Sequence, residues 1–203
     1  MYAETLLDIA MNHSDSLITK AQNGDNRAQG KLVNLWYKRI YNYAFKYFGD
    51  HDEAMDVAQK TFITFHEKIW QLKDSEGFKA WLYRIASNHC HESVRKMNSA
   101  SQHFASEYKA KDVNREATAA FFNPDKQYQR SELNSILQTA LRTLNEEQRE
   151  VVIMKEYEGL KFKEIAEVLT VSENTVKSRL YYGLGHLKKV LVAKNITTEI
   201  LQS

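Results

Sequence analysis

Between Lys161 and Leu191 the sequence sets two amphipathic helices across a short break, and this spacing restricts the fold more than any other feature of the chain. In the first helix Phe162, Ile165, Ala166 and Leu169 stand at i, i+3, i+4 and i+7, one apolar stripe at the helical period. Thr170, Val171 and Ser172 interrupt it. Ser172 is a good N-cap, because its hydroxyl accepts from an otherwise unpaired amide of the next helix. In that second helix Val176, Leu180, Leu184, Leu187 and Leu191 line one face. The opposite face carries Asn174, Ser178, Tyr182 and Lys189, with Thr175 and Lys177 on its flanks. The pattern is that of a helix-turn-helix, and a donor-rich, partly basic face of this kind suits a DNA major groove. A helical bundle that packs within a larger protein and reads nothing is the alternative.

The rest of the chain agrees with a helical fold. One proline and seven glycines in 203 residues, with no alternating Val/Ile/Thr runs, predict an all-α protein. The net charge is only +2, so any basic surface is local and offset by an acidic one. A single cysteine, Cys90, excludes an internal disulfide framework and fits a reducing compartment. The first residues lack a basic, then apolar, signal pattern, and no run approaches a membrane span, so a cytoplasmic protein without membrane insertion is expected.

Residues 1–16 read as a leader of uncertain order. From Leu17 to Phe48 the sequence is helical, with Leu32, Leu35, Trp36, Ile40, Tyr43, Ala44 and Tyr47 near helical spacing. Asp25 or Asn26 caps its main segment, and Gly49 ends it. A second helix starts near Asp50 with Asp52, Glu53 and Asp56 at its positive end. It buries Ala54, Val57, Ala58, Thr61, Phe62, Phe65 and Ile69, and turns Asp56, Gln59, Lys60 and Ile63 outward. An outward isoleucine beside polar side chains suggests a partner face, with a merely solvated face as the alternative.

After a polar loop, Phe78 opens a third helix whose Phe78, Trp81, Leu82, Ile85 and Ala86 face the core. Arg84, Asn88, His91 and Arg95 recur along one polar, basic stripe, flanked by Lys79, Tyr83, Ser87 and Lys96. Such groups, with aromatic rings nearby, grip phosphates and stack bases, although an ordinary solvated face has the same pattern. The stretch from about Met97 to Gln129 is rich in Ser, Ala, Asn and charge and holds the lone Pro124, which predicts a flexible linker with Phe121-Phe122 as its one apolar spot. Helical spacing resumes at Leu133, Ile136, Leu137, Ala140, Leu141 and Leu144, and Asn145 with Gln148 resembles a capping box for the helix before Gly159.

The clusters His51-Asp52-Glu53 and His89-Cys90-His91 contain metal-ligating residue types. Adjacent and i, i+2 positions diverge on a helix, so neither presents a helical metal site, and no metal or cofactor is expected. No phosphate-binding glycine loop or nucleophile elbow is present in the sequence, so no catalytic residue is expected.

Taken in order, these segments resemble a bacterial RNA polymerase sigma factor of the extracytoplasmic-function type, over about residues 17 to 97 and 131 to 191. Asp52-Glu53-Ala54-Met55-Asp56-Val57-Ala58-Gln59-Lys60-Thr61-Phe62 is similar to the family's core-binding helix. The resemblance implies docking on the coiled coil of the largest subunit of core RNA polymerase, through Asp52, Glu53, Asp56, Gln59, Lys60 and Ile63. The run Phe78-Lys79-Ala80-Trp81-Leu82-Tyr83-Arg84-Ile85-Ala86 with Asn88 resembles the helix that reads and melts the downstream promoter element. It implies DNA contacts from Lys79, Trp81, Tyr83, Arg84, Asn88, His91 and Arg95. The preceding loop, with Lys73, Asp74 and Ser75, corresponds to the trap for a flipped non-template base. Gly159-Leu160-Lys161-Phe162-Lys163-Glu164-Ile165-Ala166 and Thr175-Val176-Lys177-Ser178-Arg179-Leu180 resemble the upstream-element domain. They imply contacts from Ser172, Glu173, Asn174, Thr175, Lys177, Ser178, Arg179 and Tyr182.

Met55 and Lys60 stand where the family usually has acids, and Tyr182-Gly183-Leu184-Gly185 where it commonly has a basic run. The expectation is therefore an all-α chain of two helical domains, 17–97 and 131–191, joined by a flexible linker over 98–130 and followed by a tail over 192–203. Its expected partners are core RNA polymerase and double- and single-stranded promoter DNA, and the resemblance also implies an anti-sigma protein. A helix-turn-helix regulator that never binds polymerase is the rival reading, and a metal-dependent hydrolase built on the histidine clusters a more distant one.

Overall fold

Residues 15–104 and 134–193 are described by the computed structural model; the expected leader up to residue 14, Phe121-Phe122 with most of the expected linker, and the last ten residues lie outside them. All regular elements among the described residues are helical. They are α1 (15–22), α2 (Asn26–Phe48), α3 (His51–Lys68), α4 (Phe78–Phe104), α5 (134–142), α6 (Glu146–Val152), α7 (Phe162–Leu169) and α8 (Glu173–Ala193). A 3-10 turn, Ile69–Gln71, follows α3, and a π-helical turn, Ile153–Tyr157, follows α6. Helix α4 runs several residues into the segment expected as linker.

Local chemistry sets the helix ends. The Asp25 carboxylate accepts from the amides of Arg27 and Ala28, and the Asp50 carboxylate from those of Asp52 and Glu53, which satisfies donors that have no partner within the helix. Between them Gly49 adopts φ +66°, so α2 ends and α3 begins within three residues. Asn145 caps α6 through the Gln148 amide at 2.8 Å. Ser172 caps α8 through the Thr175 amide at 3.1 Å.

Helices α2, α3 and α4 pack around Leu32, Ile40, Tyr43, Tyr47, Val57, Phe65, Leu82 and Tyr83, all at most 1 % exposed. Each such side chain contributes about 1.5–3 kcal/mol of burial, an upper bound because the unfolded chain is already partly collapsed. Rings meet edge to face at Trp36–Phe78 and Tyr43–Tyr83. Helix α1 is tied in by Gln29 Nε2 on the Ala21 carbonyl and by Gln22 Nε2 on the Leu72 carbonyl.

In the C-terminal half α6, α7 and α8 close on Val151, Val152, Ile165, Val168, Val176 and Leu180. Two sequence expectations change here. Leu184 is 40 % exposed and Gly183 takes the buried position, because the seam of α8 runs Val176, Leu180, Gly183, Leu187. A Cβ at Gly183 would stand 3.0 Å from Val152 Cγ2, so the missing side chain lets α8 approach α6 closely. Leu35, which shares the helical spacing of the apolar residues of α2, is 55 % exposed, because α2 turns Trp36 rather than Leu35 toward α4.

The two halves pack against each other. Their buried apolar residues form one continuous core cluster, with α4 against α7 and α2 against the turn after α6.

Candidate polymerase and nucleic-acid interfaces

Three faces carry the residues that the sequence singles out. The first is the outer side of α3. Asp52, Gln59 and Ile63 are exposed, Glu53, Asp56 and Lys60 are half-buried, and Lys60 pairs with Asp56 one turn away. That ion pair raises the Lys60 pKa through the hydrogen bond to Asp56. Beside them a shallow groove of about 550 Å³ is floored by Phe62 and rimmed by Tyr37, Met55, Gln59, Ile63 and His66. Tyr37 stacks on Phe62 at 5.9 Å. Met55 is 53 % and Ile63 52 % exposed, a large apolar outlay for a helix surface. The contribution of α2 through Tyr37 is not evident from helical spacing alone; outward aromatic and aliphatic residues at Leu35 and Tyr37 are the signal that marks it.

The second face is α4 with the loop before it. Asp74 accepts from the Gly77 amide at 2.7 Å and the Ser75 carbonyl from the Phe78 amide at 3.1 Å, so the loop closes onto the start of α4 with Lys73 exposed. Trp81 is half-buried against Phe65 and Phe78. Asn88 and Arg95 are exposed. The remaining members of the stripe are held by the C-terminal half. Tyr83 is fully buried and donates to Glu158 Oε2 at 2.5 Å, and Lys79 donates to the Glu158 carbonyl at 3.1 Å. Arg84 donates to the Glu167 carbonyl, and His91 Nε2 meets Glu150 Oε2 at 3.0 Å. Burial and the Glu158 charge push the Tyr83 pKa up, and burial pulls that of Lys79 down. Trp70, which no periodicity in the sequence marks, is 66 % exposed beside this loop, with its indole N–H on the Glu67 carbonyl at 2.8 Å.

The third face is the outward side of α8. Ser172, Glu173, Asn174, Lys177, Ser178 and Tyr182 are exposed, and Thr175 is half-buried. Arg179 is half-buried and pairs with the exposed Glu147 of α6 at 2.7 Å. Lys177 lies 5.7 Å from the Phe162 ring, so its ammonium is held over α7 at the entrance of the motif.

The histidine clusters are engaged elsewhere. His51 meets the Tyr41 hydroxyl, His89 bonds Thr64 at 2.9 Å, and Cys90 is buried with its thiol pKa pushed well up by burial. Among the described residues no group of three His, Cys, Asp or Glu side chains is placed to hold a metal ion. No helix among them is long and apolar enough to cross a membrane.

Comparison with known proteins gives the chain a family. Residues 32–100 match sigma-70 region 2, and residues 135–187 match sigma-70 region 4. The RNA polymerase sigma-H factor of Pseudomonas aeruginosa is 26% identical over 193 residues, 90% of this chain and 96% of that protein. The ECF RNA polymerase sigma factor SigW of Bacillus subtilis is 28% identical over 177 residues, 86% of this chain and 94% of its own. The fold is similar to that of CnrH, solved in complex with the cytosolic domain of CnrY, with a TM-score of 0.66, 24% identity and coverage of 89% of this chain and 98% of that one. The class defined by these matches is that of the sigma-70 transcription initiation factors. Within it, the chain belongs to the extracytoplasmic-function group, a sigma factor with regions 2 and 4.

Proposed function

We propose that this sigma factor docks on core RNA polymerase through the outer face of α3, reads and melts the downstream promoter element with α4 and its loop, and reads the upstream element with α8. The observation that carries the reading is the pairing of an exposed groove on α3, bordered by Gln59 and Ile63, with a separate polar face on α8. A regulator that binds only duplex DNA has no use for the groove. Asp52, Glu53, Asp56, Gln59, Lys60 and Ile63 make the polymerase contact, with Tyr37 and Met55 widening it. Lys73, Asp74, Ser75, Lys79, Trp81, Tyr83, Arg84, Asn88, His91 and Arg95 serve the opening strand, where stacking and phosphate contacts offset the few kcal/mol that extruding a base costs, about 1–3 kcal/mol per stacked base. On α8, Ser172, Glu173, Asn174, Thr175, Lys177 and Ser178 face the upstream duplex with Tyr182, while Arg179 braces the helix against Glu147.

In this reading the protein works in the cytoplasm and carries no catalysis of its own. An anti-sigma protein belongs to the same proposal, in keeping with the complex in which CnrH was solved. Binding of labelled chain to core polymerase tests it. The joint substitution Asp56→Ala and Gln59→Ala is expected to weaken binding at least about tenfold, the effect of losing one or two well-placed interface contacts. It should leave the helical content intact; unchanged affinity would remove α3 from the contact.

A further inference from the structure

The fold treats its three tryptophans differently. Trp36 and Trp81 lie half-buried against Phe78, whereas Trp70 is 66 % exposed and meets no other ring among the described residues. An indole left in water forgoes the burial that so large a ring normally gains. Resting on the functional reading above, we infer that Trp70 is a stacking platform for one unpaired base of the opening strand, next to the base taken by the loop at Lys73, Asp74 and Ser75.

The turn holds this indole in place. Ile69 and Leu72 are buried on either side of it, 2 % and 8 % exposed, so the backbone beneath the ring is anchored at both ends. The Leu72 amide donates to the Ile69 carbonyl at 3.2 Å, and Gln22 Nε2 donates to the Leu72 carbonyl at 2.6 Å, which ties the turn to α1. The indole N–H donates to the Glu67 carbonyl at 2.8 Å and so fixes the tilt of the ring. A ring already held this way has little freedom left to lose when a partner arrives, which lowers the cost of binding.

The surroundings select a base as that partner. Lys68 and Lys73 are exposed before and after Trp70, and neither pairs with an acid among the described residues. The Asp74 carboxylate is engaged by the Gly77 amide at 2.7 Å, but Glu67 and Glu76 are exposed nearby, so the local charge is close to balanced. Such a balance gives phosphates little hold. Stacking on an aromatic ring is open to every base and does not depend on net charge, and two lysines are enough to guide the backbone past it. Trp70 and Lys73 are three residues apart, at most about 11 Å along the chain, so a strand held at one is within reach of the other. The indole does not line the α3 groove, which ends at His66 and Glu67, and this separates it from the polymerase contact.

The test uses the full chain bound to core polymerase and a fork-shaped DNA. Its upstream duplex carries the non-template strand as an overhang, taken from a promoter whose start site depends on the chain. The base of each overhang nucleotide is removed in turn, sugar and phosphate staying in place, and affinity is measured for wild type, Trp70→Ala and Trp70→Phe. In wild type, removing the base that rests on Trp70 is expected to weaken binding about tenfold, separately from the loss at the trapped base. Trp70→Ala should bind the intact strand about tenfold more weakly and become indifferent to base removal at that one position, while the trapped position keeps its effect. Trp70→Phe keeps a ring and should recover most of the affinity, which a merely structural role for the indole would not require. Trp70→Ala with wild-type affinity, or weakened equally on every abasic strand, overturns the inference, as does a loss confined to polymerase binding. A wild-type complex indifferent to every abasic position sinks the functional reading and the platform with it, whereas indifference to Trp70 alone leaves that reading standing.

Discussion

His91 shows how much a single residue's environment decides. It lies on the stripe that a helical wheel reads as solvated, yet its imidazole faces a buried carboxylate. The hydrogen bond to Glu150 raises its pKa above 6.5, burial opposes this, the Glu150 and Glu146 charges add to the rise and Arg95 reduces it. A raised folded value means stability that is fully present below the ordinary histidine range and is lost as pH rises through the folded value. The packing of the two halves through His91 and Glu150 is therefore expected to be more stable at pH 6 than at pH 8. Proton NMR of the His91 ring should show a midpoint above 6.5 that returns toward the ordinary value in Glu150→Gln; a wild-type midpoint at or below 6.5 contradicts the pairing. The positions of Arg84, Asn88 and His91 on one face were legible in the sequence. That Arg84 and His91 are engaged was not, because their partners lie 59 to 83 residues away in the chain.

At the scale of elements, what depends on neighbours in sequence was legible and what depends on packing was not. Asp25, Asn145 and Ser172 cap the helices expected of them, since capping is settled within three residues. The seam of α8 differs by one position. Periodicity favours Leu184, but the space against Val152 admits only Gly183, a fact fixed by how closely α6 and α8 approach. Gly183→Val is expected to wedge the two helices apart and cost about 1–3 kcal/mol in denaturant unfolding, as overpacking typically does. An unchanged midpoint would show that the approach is not close. The turn between α7 and α8 carries the opposite opportunity. Thr170 adopts φ 56°, ψ 45°, where a β-branched residue is strained. Thr170→Asn, exposed and suited to that conformation, is expected to raise stability by about 0.5–1 kcal/mol. A loss of stability would mean that the threonine side chain contributes more than its backbone costs.

For the whole molecule, the sequence conveys two helical units in order and the family to which they belong, but not how they meet. The sequence separates the two units by a polar linker, and across it the halves share a continuous core and a row of cross-bonds centred on Glu150. The reason is physical. The bonds join Tyr43, Tyr83 and Ser87, read individually as core or flank positions, to Glu150 and Glu158, and no local periodicity reports such a pairing. Of the three candidate faces, the α3 groove and the outward side of α8 are open in this arrangement, while on α4 Tyr83, Lys79 and His91 are engaged by the C-terminal half and Asn88 and Arg95 stay exposed. As a sigma factor, the chain selects where polymerase begins. Transcript start sites mapped in vitro, with core polymerase on genomic DNA in the presence and absence of the full chain, test this directly. Discrete new starts that require the chain and disappear with Asp56→Ala/Gln59→Ala are the predicted result, and the same set of starts with or without the chain would contradict it.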